Sequence, residues 1–139
     1  METPCARYST ANMIAVRFER ADAVALPFGA GRFDAACISF ALHEMPAGVR
    51  RRALAEIVRV TKPGAQVIIV DYGLPRSRLA RGLVVRIVRT YEGRHYVEFL
   101  AEDLRGILED AGIRVDREWS ALGGVARVVT GHRTGSQLS

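Results

Sequence analysis

Apolar and polar residues along this chain follow patterns that predict two kinds of strand. Residues 15–20, AVRFER, alternate apolar and polar side chains, as a strand with one covered face does. Residues 33–40, FDAACISF, and residues 66–71, QVIIVD, are nearly continuous in apolar and small side chains. Such continuity is typical of strands that are covered on both faces, so these two segments predict parallel strands.

A helix is predicted between the two apolar strands. Met45-Pro46 places a proline in its first turn, and Lys62-Pro63-Gly64 ends it. One stripe of the helix is apolar and the other side is charged. The stripe consists of Leu54, Ile57, Val58 and Thr61, and the charged side of Arg50, Arg51, Arg52, Glu56 and Arg59. The strand, helix and strand together favour a right-handed parallel crossover.

The second half of the chain predicts two helices and a pair of strands. Residues 75–96 predict one helix with interleaved arginines and apolar residues, and residues 102–111 predict another that ends at Gly112. Residues 113–119 predict a strand with three large side chains on one face. These side chains are Ile113, Val115 and Trp119. A turn at Gly123-Gly124 leads into a last strand over residues 125–130, and strands joined this closely pair antiparallel.

The composition indicates one globular α/β domain. Of the 139 residues, 49% are hydrophobic and 25% are charged, the balance of a globular protein. No apolar run approaches the roughly 20 residues of a membrane helix, and the N-terminus lacks a signal-peptide pattern. Cys5 and Cys37 have no metal-ligand spacing. We therefore expect reduced thiols, a cytoplasmic location and no metal site.

The net charge of +5 restricts the classes of partner. A positive surface can attract nucleic acid, anionic lipid or an acidic ligand. The chain has no RNA-binding signature, zinc finger or repeat, so we expect no nucleic-acid partner. Two interpretations of the arginine-rich helix stay open. A helix that covers the sheet is favoured because basic faces are usually only solvated, and the alternative is a basic surface that contacts anionic lipid at a membrane.

Groups that could bind a ligand follow three of the predicted strands. They are Asp22-Ala23, the segment from Phe40 to Glu44, and Asp71-Tyr72. Ligands of parallel sheets bind beyond the carboxyl ends of the strands, where a carboxylate can accept hydrogen bonds from an amine or a hydroxyl. A single aspartate after a strand is most often a turn former, so the combination matters more than any one position.

In combination, these segments resemble the class I S-adenosylmethionine-dependent methyltransferases. The similarity lies in DAVALPF (22–28), GRFDA (31–35) and SFALHE (39–44), and it extends to LAEIVRVTKPGA (54–65) and EDLRGILEDAGI (102–113). The most similar subgroup includes the ubiquinone and menaquinone biosynthesis enzymes and many small-molecule methyltransferases. The resemblance covers residues 15–131 and implies a Rossmann-like methyltransferase sheet, with parallel strands followed by a C-terminal antiparallel pair.

The resemblance implies a set of residues that would bind the cofactor S-adenosylmethionine. Asp22 would take the adenine amino group, and the backbone of Ala23 would meet the adenine ring. Two side chains, those of Leu26 and Phe28, would line the adenine side. Beside the methionine portion would pass Ser39, Phe40 and Ala41.

The resemblance also implies a catalytic residue and a substrate region. His43 would lie near the transferred methyl group and act as the base if the acceptor, a small molecule, must lose a proton. The alternative for His43 is a helix-entry residue that is bonded to the backbone. Substrate contacts would come from Asp71, Tyr72, Tyr91, His95 and Tyr96. For the three residues of the 91–96 segment, simple packing at a helix end is the alternative.

These 139 residues lack the first half of the family pattern, so the predicted sheet is N-terminally truncated. The family begins with a strand, a Gly-rich turn, a helix and a second strand that ends in an acid, and no such segment is found here. In the family's sheet order of 3-2-1-4-5-7-6, this leaves FDAACISF as a bare edge. We predict a homodimer through this edge, or a partner chain that supplies the missing half. Residues 1–14 would be a helix remnant or disordered arm, 15–132 the partial domain, and 133–139 a frayed tail.

Three functions remain open at this stage. The first is methyl transfer to a small molecule, the second a non-catalytic remnant that dimerises, and the third a module that binds lipid or an acidic ligand through the arginine-rich helix.

Overall fold

The computed structural model of this chain describes residues 16–73, 77–91 and 94–135. The elements in chain order are β1 (Phe33–Ser39), α1 (Ala47–Val60), β2 (Thr61–Tyr72), α2 (Arg78–Tyr91), α3 (Arg94–Ala101), α4 (Leu104–Asp110), β3 (Ile113–Ala121) and β4 (Ala126–Arg133). Two short 3-10 turns, Leu42–Glu44 and Leu122–Gly124, follow β1 and β3. Residues 1–14, predicted to be a remnant or an arm, lie outside the described part.

The four strands form one mixed sheet in the order β1-β2-β4-β3. β1 and β2 are parallel, whereas β4 runs antiparallel to both β2 and β3. This confirms the predicted α/β class with parallel strands followed by an antiparallel pair. It also leaves β1 at the edge of the sheet, bonded within the described residues to β2 alone.

One face of the sheet is covered by α1, α3 and α4. Alternate residues of β2, such as Val67 and Ile69, point to this side, where Leu54 of α1 and Leu104 of α4 pack on them. All four side chains are at most 1% exposed. The Leu-x-x-Ile-Val stripe of α1 therefore faces the core as its spacing predicts, with Leu54 buried and Ile57 and Val58 half-buried.

The opposite face of the sheet is open within the described residues. Ala35, Cys37 and Ser39 of β1 are exposed there, and Ile68 and Val70 of β2 are only half-buried. The prediction that β1 is covered on both faces is therefore wrong for the part of the chain that the structure describes. An apolar strand pattern indicates that both faces of the strand are suited to contact other residues. The residues that would cover the second face need not belong to the described part of the chain.

Trp119 lies on this open face, contrary to the prediction that it shares a face with Ile113 and Val115. The pairing of β3 with β4 shifts between Val115 and Arg117, where a β-bulge inserts one residue. The inserted residue turns every later side chain of β3 to the opposite face. Ile113 and Val115 are consequently buried, whereas Trp119 is 47% exposed.

Two of the predicted element boundaries also need correction. Residues 16–20 do not form a strand, because no described neighbour completes their backbone hydrogen bonds. Within the helix predicted over residues 75–96, the structure describes α2 from Arg78 to Tyr91 and α3 from Arg94, and α3 continues beyond the predicted end to Ala101.

The chain end is ordered further than predicted. β4 extends to Arg133, which donates a hydrogen bond to the carbonyl of Thr61. The next residue, Thr134, donates from both its amide and its hydroxyl to the carbonyl of Gly112, at 2.9 and 3.0 Å. The predicted frayed tail therefore does not begin at residue 133.

Candidate functional site

A buried carboxylate lies at the carboxyl end of β2. Asp71 is fully shielded from solvent. Its Oδ2 accepts a hydrogen bond from the amide of Leu42 at 2.9 Å, and its Oδ1 accepts one from the amide of Tyr72 at 2.8 Å. Oδ1 also lies 2.7 Å from Nδ1 of His43. Both carboxylate oxygens are thus bonded inside the chain, so Asp71 positions its neighbours. The predicted contact of Asp71 with a substrate stays a prediction.

The bond to Asp71 fixes the chemistry of His43. An ionised carboxylate only accepts, so the Nδ1–H of the imidazole donates and Nε2 carries the lone pair of the neutral ring. His43 is 4% exposed. This partner is a side chain, so the alternative of a helix-entry residue bonded to the backbone does not describe His43. The arrangement suits a residue that accepts a proton at Nε2.

Two aromatic rings pack on this histidine, and a third packs on one of them. The ring of Tyr72 lies 4.7 Å from the His43 ring, and that of Tyr96 lies 5.4 Å from it, measured between centroids. Phe40 packs on Tyr72 at 5.1 Å. We call His43, Asp71, Phe40, Tyr72 and Tyr96 the Asp71 cluster. The structure thus brings together predicted site residues from the end of β1, the Leu42–Glu44 turn, the end of β2 and α3.

Arg50 holds the turn that carries His43, and sequence analysis missed it. Arg50 is completely buried, although it was predicted on the charged side of α1. Its guanidinium donates to the carbonyls of Leu42 at 3.0 Å and Met45 at 2.9 Å, and it forms an ion pair with Glu102. Arg50 lies four residues before Leu54, so helical spacing puts it on the apolar stripe, and this signal could have identified it.

The backbone turns sharply where β1 ends. Phe40 has a φ of 48°, a left-handed conformation that is uncommon for a residue with a side chain. Its amide donates to the carbonyl of Val70 at 2.7 Å, which ties the turn to β2. Ser39 and Phe40 remain exposed and Ala41 is half-buried. The predicted methionine-side residues therefore border the Asp71 cluster at the carboxyl edge of β1 and β2.

The predicted adenine-side residues form a separate loop. The exposed Asp22 accepts the amide of Val24 on Oδ1 at 3.0 Å, and the Asp22 carbonyl accepts the amide of Ala25 at 3.0 Å. This is the turn-forming role that an aspartate commonly has. Ala23 is half-buried. No described hydrogen bond or ion pair joins Asp22 to the Asp71 cluster.

An ion pair on α1 holds the rest of this loop. Glu56 accepts the amide of Leu26 at 2.7 Å, and Arg59 donates to the carbonyls of Leu26 at 3.0 Å and Phe28 at 2.8 Å. The hydrogen bond from Arg59, followed by that from Leu26, lowers the pKa of Glu56 to about 2. Phe28 packs on Phe33, the first residue of β1, at 5.1 Å. Leu26 and Phe28 are thus held near the start of β1, whereas Ser39 lies at its end.

The last two predicted substrate residues lie on α2 and α3. His95 is half-buried, and its Nδ1 lies 3.4 Å from Glu98 on the same helix. Tyr91 ends α2, and its side chain is outside the described part of the structure. Of the three residues predicted in this segment, only Tyr96 is placed in the Asp71 cluster.

Comparison with known proteins shows that this chain is similar to methyltransferases. Residues 3–64 match the family model described as a methyltransferase domain. An uncharacterized methyltransferase of Synechocystis is 32% identical over 104 residues, which are 75% of this chain and 49% of that protein. The demethylmenaquinone methyltransferase of Mycobacterium bovis is 30% identical over 135 residues, with 84% of this chain and 56% of that protein covered. The chain spans about half the length of these curated relatives.

A solved structure shows the same fold. The crystal structure of a SAM-dependent methyltransferase from Methanosarcina mazei is similar with a TM-score of 0.63 and 23% sequence identity. The similarity covers 93% of this chain and 74% of that one. The predicted Rossmann-like methyltransferase sheet is therefore confirmed.

The bonding of Asp71 predicts a large loss of stability on its removal. Asp71→Ala leaves the amides of Leu42 and Tyr72 and the Nδ1–H of His43 without this acceptor and should lower the free energy of unfolding by roughly 3–5 kcal/mol. Asp71→Asn should cost less, because its amide oxygen can still accept one of these bonds. Urea denaturation of the purified chain measures both values. The control is Asp34→Ala, which removes an ion pair to Lys62 whose aspartate side chain is 84% exposed and which should change stability little. A cost for Asp71→Ala no larger than the control's would show that the carboxylate does not hold the site together.

Proposed function

Because the family model, the curated relatives and the fold all support a class I S-adenosylmethionine-dependent methyltransferase, we propose that this chain takes part in methyl transfer from S-adenosylmethionine to a small molecule. The observation that carries the proposal is the His43–Asp71 pair at the carboxyl edge of β1 and β2. This edge is where ligands bind in sheets of this kind. The pair gives the edge a histidine whose orientation is fixed by a carboxylate.

The polar groups that are present fit the adenine end of the cofactor. Asp22 is exposed and only its Oδ1 has a described bond, so Oδ2 is available to accept an amine hydrogen. Asp22 and Ala23 would hold the adenine, and the exposed backbone from Ser39 to Ala41 would border the methionine portion. The sequence has no counterpart of the family's Gly-rich turn, and we propose that a partner chain or a further segment supplies these contacts.

His43 would take the acceptor's proton in this scheme. S-adenosylmethionine, when bound, supplies an electrophilic sulfonium methyl group. Asp71 holds the imidazole so that Nε2 is the atom that receives a proton from the acceptor. Tyr72 and Tyr96 pack on the imidazole edge to face and exclude water from it. The chain's own contribution is thus positioning and proton removal.

Substitution of Asp22 tests the cofactor assignment. Asp22→Ala should weaken binding of S-adenosylmethionine about tenfold, the effect of losing one hydrogen bond to a charged group. Isothermal titration calorimetry on the purified chain measures the affinity, and Asp34→Ala, which removes another exposed aspartate, should leave it unchanged. An Asp22→Ala affinity equal to that of the wild type would contradict the assignment of Asp22 to the adenine, and binding by neither variant nor the wild type would favour a non-catalytic remnant.

The exposed edge of β1 supports an assembly of two copies. β1 pairs only with β2 among the described residues, and unpaired strand edges bind other strands. We propose that two chains pair along β1. Ala35→Lys would place a charge on this strand and should shift the dimer toward monomer, whereas Ala101→Lys, at an exposed position that ends α3, should not. Light scattering at micromolar concentration measures the mass, and a monomeric wild type would contradict the dimer.

A second candidate function, binding to an anionic membrane surface, is favoured by the outer side of α2. Leu79 is 89% exposed and Leu83 is 61% exposed, and they lie one turn apart beside the exposed Arg78. The first interpretation of this helix expected it to cover the sheet. The two leucines do not do so, because they are exposed. Among the described helices, none has the length and apolar character needed to cross a membrane.

Vesicle flotation tests this second candidate. The chain should float with vesicles that contain phosphatidylserine, and Leu79→Ser with Leu83→Ser should reduce binding at least about tenfold because two buried leucines are lost. The control is Leu122→Ser, which removes another leucine that is 77% exposed on the turn before β4. Equal flotation of the double variant and the control would contradict a membrane role for α2.

A further inference from the structure

A polar cleft opens beside the Asp71 cluster. It has a volume of 290 Å³ and lies between α2, α3 and the β3–β4 hairpin. Its walls include Tyr72 and Gly73 at the end of β2, Arg81 of α2, and Glu118 and Arg127 of the hairpin. The volume is close to the lower end of the range for small-molecule sites, which suits a ligand with a single ring.

The charges of the cleft leave one cation to bind a ligand. Arg127 donates to Glu118 at 2.5 Å, so these two charges neutralise each other. Arg81 has no ion pair among the described residues. Two guanidinium groups and one carboxylate give the cleft a net charge of about +1, which favours an anion.

The orientation of α2 places this arginine in the cleft. An α-helix turns 100° per residue, so Arg81 lies about 160–200° around the axis from Leu79 and Leu83. Arg81 is exposed, as both leucines are, but of these three residues Arg81 alone lines the cleft. The turn of the helix therefore directs the guanidinium side of α2 toward the cleft and the two leucines away from it.

We propose that the cleft binds the methyl acceptor and that the acceptor is a small aromatic carboxylate. Arg81 binds the carboxylate, and the ring lies against Tyr72. Tyr72 is shared between the cleft and the Asp71 cluster, since it lines the cleft and its ring lies 4.7 Å from that of His43. An acceptor held by its carboxylate at Arg81 therefore presents its other end toward the base. The role of the ligand as methyl acceptor rests on the proposed methyl transfer, whereas its binding in the cleft does not depend on it.

Titration with benzoate as the probe tests the site without any enzymatic assay. The full chain is titrated with benzoate and with the neutral analogue benzamide, and chemical shifts of the Gly73 and Ser120 amides report binding. Arg81→Gln should weaken benzoate binding at least about tenfold, because a charge-assisted hydrogen bond is lost. Arg81→Lys should restore part of the affinity, since it keeps the charge. Arg78→Gln, one residue before Leu79 on the same helix, should match the wild type.

The outcomes separate this inference from the proposed function. Benzoate binding that depends on Arg81 and not on Arg78 supports the site, even in a preparation that does not bind S-adenosylmethionine. Absence of benzoate binding in the wild type overturns it, even if S-adenosylmethionine binds. An equal loss in Arg81→Gln and Arg78→Gln, or benzamide binding as tight as that of benzoate, also overturns it.

Discussion

A carboxylate that water cannot reach needs hydrogen-bond donors from the protein, and Asp71 obtains them from β2 and from the turn that follows β1. The amide of Leu42 belongs to the turn after β1, and the amide of Tyr72 belongs to β2 itself. The imidazole of His43 completes the set. Since each unpaired donor in such a place would cost about 1–3 kcal/mol, this geometry ties the end of β1 to the end of β2. The positions of His43 and of the rings around it follow from that constraint.

Arg50 extends the same constraint into the helical layer. Its bonds to the carbonyls of Leu42 and Met45 fix the turn from the side opposite Asp71, and its ion pair with Glu102 connects α1 to the segment after α3. The guanidinium also stacks 4.9 Å from the ring of Phe99. A buried charge is costly to leave unpaired, so the bonds of Arg50 favour one arrangement of the segments that it joins. The adenine-side loop is held independently, by Glu56 and Arg59 at the other end of β1.

Local patterns predicted the part of the fold that depends on neighbours in sequence. The stripe on α1, the apolar run of β2 and the turn at Gly123-Gly124 each determine an element, and the family resemblance supplied the strand order that the structure confirms. Errors arose where a longer-range contact decides the outcome. Residues 16–20 alternate like a strand but have no described partner, and the bulge after Val115 reverses the face of Trp119 without any glycine or proline within β3 to signal it. The site followed the same rule: His43, Asp71, Tyr72 and Tyr96 were predicted from short motifs, whereas the bond of Asp71 to His43 and the ion pair of Arg50 with Glu102 join distant segments.

Hydrogen exchange at individual amides tests most directly whether Asp71 organises the site. The amide of Leu42 donates to a buried carboxylate, whereas that of Val24 donates to the exposed Asp22 at nearly the same distance, 2.9 against 3.0 Å. If the carboxyl edge is held as described, the amides of Leu42 and Tyr72 should exchange as slowly as that of Ile69 in the centre of the sheet, through global unfolding. Exchange at Leu42 as fast as at Val24 would mean that the turn opens on its own, and the account of a site held by Asp71 would be wrong.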